Sequence, residues 1–399
     1  MEYQNEKLGD YRGDSLIFRG AFDIPFALIT LLLLTIGVVM VLSASFARAY
    51  YDPKVKTATY YFNRQLFFAV SGIAIMYVAS RLPIGFYRRF SSIIMLVSIV
   101  LLLLVLVGGE RANGAKRWFK IAGITFQPSE IAKIGVILVE AQMICRYKSR
   151  MKTFRYGVLP FGILLVIVVG LLILEPHLSA SVIIIALTAI MMFLGGTRLR
   201  WFALGFGVVL LGGFLAVSVL DYSGDRISAW LDPFGDSSDT GYQIVQSLYA
   251  IGNGGLSGLG LGQSRQKYLY LPEEHNDFIF SVVCEELGFI GATLILLLFA
   301  LLIVRGYWLA MHCRDRYSFL VCAGITSLLA IQVILNVAVV TNLVPCTGIS
   351  LPFFSYGGTA LWLQLAEMGV ILSISRDIPE KKTVRGTRSA SNTAPAAKE

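Results

Sequence analysis

The sequence predicts an all-α integral membrane protein: about ten transmembrane helices, both termini in the cytoplasm, and a large extracytoplasmic loop between helices 7 and 8. Three observations carry this reading. Of the 399 residues, 56% are hydrophobic and only 15% charged, whereas a soluble domain is nearer a quarter charged. Apolar runs recur at bilayer-spanning length, which is roughly 20 residues. Lys and Arg are unequally shared between the connections, as membrane topology requires.

The runs fall near 25–46, 62–80, 90–108, 129–145, 157–174, 178–196, 201–220, 278–305, 318–343 and 357–375. The first starts at Pro25 and has the length of a full span, so it reads as a retained helix rather than a cleavable signal. The runs at 62–80 and 129–145 are the least apolar, and each contains a charge. With the N-terminus inside, 22 of the 34 Lys and Arg residues lie in cytoplasmic pieces and 11 in external ones, with Lys133 inside a span. The formal net charge of +9 is therefore mostly topology, which argues against a nucleic-acid partner. Residues 1–20 form a polar cytoplasmic tail, 21–376 a polytopic membrane domain, and 377–399 a basic, Ser/Ala-rich cytoplasmic tail too polar to bury a core. The five cysteines are scattered without CxxC or Cys/His spacing, so neither a disulfide framework nor a zinc site is expected. No internal repeat is visible, which disfavours transporters built from inverted halves.

Function is expected on the external side, where two connections are longer than linkers need to be: 109–128 and 221–277. Lys116, Arg117 and Lys120 cluster beside Trp118, and Arg48, Lys54, Lys56 and Arg64 lie in the first external loop. Such charges fit a solvated loop at anionic headgroups. They fit equally a site for phosphate or pyrophosphate. Pro128-Ser129-Glu130 opens a span, and Lys133, three residues after Glu130, shares its helix face. Ionisable groups at that depth are functional candidates, with a purely structural ion pair as the alternative. Asp277 stands between LPEEHN and the apolar FIFSVV. A partly desolvated carboxylate there suits a general base, although the position also fits an acid favoured by a helix N-terminus. Glu285 and Glu286 lie two turns deeper and read as structural. Residues 252–262, GNGGLSGLGLG, lack the strand–turn–helix setting of a nucleotide loop. They read as a turn or a close backbone contact after an amphipathic helix from Tyr242 to Ile251. Pro345, Pro352, Gly357 and Gly358 break the backbone before the last span, which places that stretch beside the same cavity as Asp277.

The pieces NGAKRWF (113–119), FQPSEIAK (126–133), GYQIVQSLYAIGNGGLSGLGLG (241–262), YLPEEHNDFIFSVVCEELG (270–288) and PCTGISLPFFSYGG (345–358) resemble those of the SEDS family (shape, elongation, division, sporulation; RodA/FtsW/SpoVE type). The resemblance covers residues 25 to 375. It implies a peptidoglycan glycosyltransferase in the bacterial plasma membrane that polymerises lipid II. The implied partners are a class B penicillin-binding protein and other divisome or elongasome membrane proteins. The family's essential aspartate falls on Asp277, its sensitive Glu and Lys on Glu130 and Lys133, and its external arginines on Arg117 and Arg64. Lys116, Gln127, Ser129 and Ser355, within or beside the matched motifs, complete the expected substrate-binding set. One departure is Glu175-Pro176-His177-Leu178, where many members read Pro-Asp-Leu. No catalytic role is expected for His177, and Glu175 is the candidate to compensate. The cofactor expectation is none, with a divalent cation (Mg or Mn) as the one candidate. A lipid II flippase is the alternative function, and a non-catalytic scaffold for a penicillin-binding protein a third.

Overall fold

The computed structural model describes residues 22–378 apart from 54, 56, 113–114, 122–123, 206, 208–228 and 236–240. The expected run at 201–220, both polar tails, Lys54, Lys56 and parts of the loop 221–277 therefore lie largely outside the described residues. The other nine apolar runs are helices. They are α1 (Ile24–Tyr51), α2 (Tyr60–Arg81), α3 (Ile84–Gly108), α4 (Pro128–Tyr147), α5 (Phe154–Gly157) continuing into α6 (Leu159–Leu174), α7 (Leu178–Gly195), then, after the short α8 (Tyr242–Gly254), α9 (Ile279–Met311), α10 (Arg316–Val340) and α11 (Gly358–Ser375). Eight of these segments, α4 and α8 excluded, are long and apolar enough to cross a membrane among the described residues. The chain is a multi-pass membrane protein. α4 has the length at 20 residues but carries Glu130, Lys133 and Glu140.

Local chemistry sets the ends. Asp23 caps α1, accepting the Phe26 amide at 2.9 Å, and Pro25 occupies the first turn. Asp315 caps α10 through the Ser318 amide at 3.0 Å. Burial is sorted as lipid demands. Leu33, Ile137, Phe161, Phe299, Phe353 and Phe354 are fully enclosed, and so are Gln65, Glu140, Glu285 and Asn336. Many large apolar side chains are exposed, with Val107 at 82% and Val166 at 73%. So large an apolar surface is a membrane contact.

Two parts of the fold go beyond the all-helical expectation. The connection 109–128 folds as a small antiparallel sheet, β1 (Glu110–Ala112), β2 (Ala115–Ile121) and β3 (Ile124–Phe126), in the order β1-β2-β3. Phe119 pairs with Phe126, and Thr359 of α11 donates to the Thr125 carbonyl at 3.0 Å, so the sheet is tied to the bundle. α9 is broken at Gly288, whose φ of 66° and ψ of −171° are not helical. The glycine-rich stretch docks into that break: the amides of Leu259 and Gly260 donate to the carbonyls of Glu285 and Glu286 at 3.0 and 2.9 Å, and Phe289 and Ile290 donate back to Gly255 and Leu256. A Cβ on Gly288 would stand 2.2 Å from the Gly258 amide nitrogen, so only glycine admits the contact. This is the close backbone packing anticipated as one of two options for 252–262. Glu285 and Glu286 complete it. Glu285 accepts the amides of Arg265 and Gln266, while Glu286 accepts Lys267 Nζ at 2.9 Å and the Ser43 hydroxyl at 2.7 Å. The pair holds the returning strand of the loop that ends at Asp277.

Candidate active site

At the bundle end that holds the β-sheet and the N-termini of α4, α7, α9 and α11, a cleft of about 390 Å³ opens. Asp277, Arg117, Gln127, Glu130 and Lys133 all line it. Five of the nine expected site residues, distant in sequence, thus face one space. Gly348, Ile349, Ser350 and Tyr356 form another wall, so the broken stretch before the last span does share the cavity of Asp277.

Asp277 sits just before the first turn of α9. Asn336, buried in α10, donates Nδ2 to the Asp277 carbonyl at 2.9 Å and to the Ile349 carbonyl at 2.6 Å. A Cβ on Gly348 would lie 3.0 Å from Asp277 Oδ2, and its φ is +66°, so the cavity wall approaches the carboxylate through a glycine. Burial raises the Asp277 carboxyl to about 6, and the charge of Glu273 adds to the rise. His275 and Arg117 pull the other way.

Across the cleft, Lys133 Nζ pairs with Glu130 Oε2 at 2.7 Å, with the Lys133 side chain only 3% exposed. The three-residue spacing on α4 makes this pair, as expected from the sequence. Arg117 extends from β2 and donates Nε to the Glu175 carbonyl at 3.3 Å and Nη2 to that of Pro176. The main chain, not an acid, positions this guanidinium. The Glu175 carboxyl is buried, neither oxygen has a hydrogen-bond partner among the described residues, and burial pushes it up to about 8. His177 lines the cleft beside Gln127 (Nε2 to Nε2, 3.3 Å), and burial lowers it to about 3, so it stays uncharged.

Four expected residues do not line the cleft. Lys116 donates to the carbonyls of Leu106 and Val107 at 3.4 and 3.3 Å, closing the last turn of α3. Arg64 donates to the Tyr60 hydroxyl at 2.7 Å and acts electrostatically on Tyr356, a cleft residue. Ser129 is fully buried in the first turn of α4. Ser355 donates to the Asn276 carbonyl at 2.8 Å and accepts the Leu351 amide at 2.7 Å, bracing the residue next to Asp277. Conversely, Glu273, Asn276, Gln332 and Tyr356 line the cleft without having been singled out. Gln332 and Asn336 had a signal: two amides four residues apart in an otherwise apolar span.

For a divalent cation the fit is poor. No three His, Cys, Asp or Glu side chains among the described residues converge as a metal-holding group. The positive charge facing the cleft comes from Arg117 and Lys133.

The family model FTSW_RODA_SPOVE, described as "Cell cycle protein", matches residues 25–379. The chain belongs to this family. It is 41% identical over 357 residues to stage V sporulation protein E of Bacillus subtilis (strain 168), covering 89% of this chain and 97% of that protein. It is 40% identical over 357 residues to a protein of Trichlorobacter lovleyi named probable peptidoglycan glycosyltransferase FtsW, covering 89% and 93% of the two chains. Among solved structures, a chain from work on structural coordination of polymerization and crosslinking by a peptidoglycan synthase complex superposes with a TM-score of 0.74 at 28% identity, covering 90% of this chain and 98% of that one. The FtsW/RodA/SpoVE fold therefore accounts for the bundle.

Proposed function

We propose that the protein is a peptidoglycan glycan-strand polymerase that uses lipid II and acts with a class B penicillin-binding protein in the bacterial cell membrane. The cleft faces the outside and both termini the cytoplasm. The carrying observation is that one carboxylate with a raised proton affinity, Asp277, shares a cleft with two side-chain cations, Arg117 and Lys133. The names of the FtsW relatives and of the synthase complex support the reading.

The chemistry follows from those groups. The donor sugar is α-linked to undecaprenyl pyrophosphate. The 4-hydroxyl of the acceptor sugar attacks the donor's anomeric carbon while its proton passes to the Asp277 carboxylate. The new β-1,4 bond forms as the bond to the pyrophosphate oxygen breaks. The diphosphate leaves with the electron pair and two cations to receive it. One displacement inverts the centre, and inversion needs one base and no covalent intermediate. The isoprenoid tail has a path: an apolar groove of about 500 Å³ runs between α2, α3, α4 and α11, lined by Ile75, Val78, Ile131, Ile134 and Leu363. α4 presents Glu130 and Lys133 to the cleft, and Ile131 and Ile134 to this groove. A diphosphate in the cleft and its tail in lipid are thus held by neighbouring walls.

The test is to supply labelled lipid II to the protein purified with its cognate penicillin-binding protein, and separately to liposomes containing it. Glycan ladders on a gel are the expected product. Efficient translocation across the liposome with no ladder would replace this reading with a flippase.

A further inference from the structure

The loop before α9 brings two adjacent acids to the edge of the cleft, and they have opposite environments. Glu274 is turned inward, 1% exposed, with Arg48 Nη1 3.3 Å from one oxygen and His275 Nδ1 3.4 Å from the other. Glu273 lines the cleft with Asp277. Its backbone is left-handed, with φ of 55°, a conformation that side-chain-bearing residues rarely adopt. The turn is fixed by its own carbonyl, which accepts the amides of Asn276 at 3.0 Å and Phe278 at 3.3 Å. Its carboxylate is fixed too: Asn276 Nδ2 donates to Glu273 Oε2 at 2.5 Å. The strained turn aims a second negative group at the cleft rather than filling a core.

We infer that Glu273 is a positioning residue for Asp277, a clamped second carboxylate whose charge tunes Asp277 as proton acceptor. This rests on the reading of Asp277 as the base. The charged and titratable groups facing Asp277 come from several elements: Glu273 and His275 from its own loop, Arg117 from β2, Glu110 from β1, Glu130 and Lys133 from α4, His177 before α7, and Tyr356 before α11. α10 contributes only the amides of Gln332 and Asn336. Among these, Glu273 is the negative charge that acts on Asp277 most strongly, after burial itself, and it opposes Arg117. A base flanked only by cations would be fully ionised yet a weak proton acceptor. The clamped acid offsets that loss.

The test compares Glu273→Gln and Glu273→Asp with the unchanged protein, each with its cognate penicillin-binding protein, following glycan synthesis from labelled lipid II between about pH 5 and pH 8.5. Glu273→Gln, which keeps the shape and the Asn276 contact, should move the acid limb down by about one pH unit. It should also lower the plateau kcat about threefold, the Brønsted consequence of a weaker base. Glu273→Asp keeps the charge and should leave the limb in place. An acid limb unmoved in Glu273→Gln, at whatever rate, overturns the inference. A run with Asp277→Asn separates the two layers: ladders surviving there sink the base itself, whereas an inactive Asp277→Asn with an unmoved Glu273→Gln limb sinks only the role of Glu273.

Discussion

Asn336 holds Asp277 from behind: one buried side-chain amide on α10 donates to the Asp277 carbonyl at 2.9 Å and, through the same nitrogen, to the Ile349 carbonyl at 2.6 Å. The bond joins the loop that carries the acid to the wall that closes over it. Replacing Asn336 by Leu leaves two buried carbonyls short of a donor, at about 1–3 kcal/mol each. We expect a lower unfolding temperature in detergent and at least a tenfold loss of glycan synthesis in the surviving folded fraction, measured by thermal unfolding and by product gel. Unchanged synthesis in that variant would show that the Asp277 main chain needs no such tether.

The pH dependence follows from the Asp277 carboxyl being raised to about 6. In the proposed reaction Asp277 accepts a proton only when ionised, so kcat should rise with pH through about 6 and flatten above it. Stability runs in the opposite sense. A carboxyl whose folded-state affinity for protons exceeds the unfolded one favours folding at low pH, and that contribution is lost as pH rises through about 6. Asp277→Asn should flatten the pH dependence of unfolding across that window, as calorimetry or a fluorescence melt would record.

The Glu130–Lys133 pair, 2.7 Å apart with Lys133 almost fully buried, makes a third case. Lys133→Met leaves the acid without its partner at the start of α4, which should destabilise by about 3 kcal/mol. Adding Glu130→Gln should restore most of the stability but none of the synthesis, since the cleft has lost one of its two cations, Lys133, and keeps only Arg117. Melting temperature and ladder intensity on the three proteins separate the structural role from the functional one.

The contact of Gly258 with Gly288 predicts a purely structural effect. A methyl group at either position meets backbone within 2.2 Å, with φ positive at both. Gly288→Ala should free the stretch 255–262 from the break in α9. Limited proteolysis of the loop should then proceed faster than in the unchanged protein, and equal rates would contradict the docking.

Much of this was legible in the sequence because bilayer physics simplifies it. Twenty-residue apolar runs can only be helices in lipid, and Lys133 three residues after Glu130 can only share its face. Two features escaped for physical reasons. The sheet at 110–126 is short and polar, and its pairing of Phe119 with Phe126 has no periodicity long enough to separate it from a loop. The cleft partners Glu273 and Tyr356 come together by long-range packing, which no local spacing encodes. Lys116 misled for the opposite reason: its charge suggested an anion site, while its ammonium is occupied by the carbonyls at the end of α3.

The most direct measurement is the turnover of labelled lipid II by Asp277→Asn beside the unchanged protein, both purified with the cognate penicillin-binding protein and shown by melting to be folded. The account predicts that the amide variant, still able to occupy the cleft but unable to take a proton, makes no glycan ladder. Polymer at a comparable rate from the folded Asp277→Asn protein would contradict it.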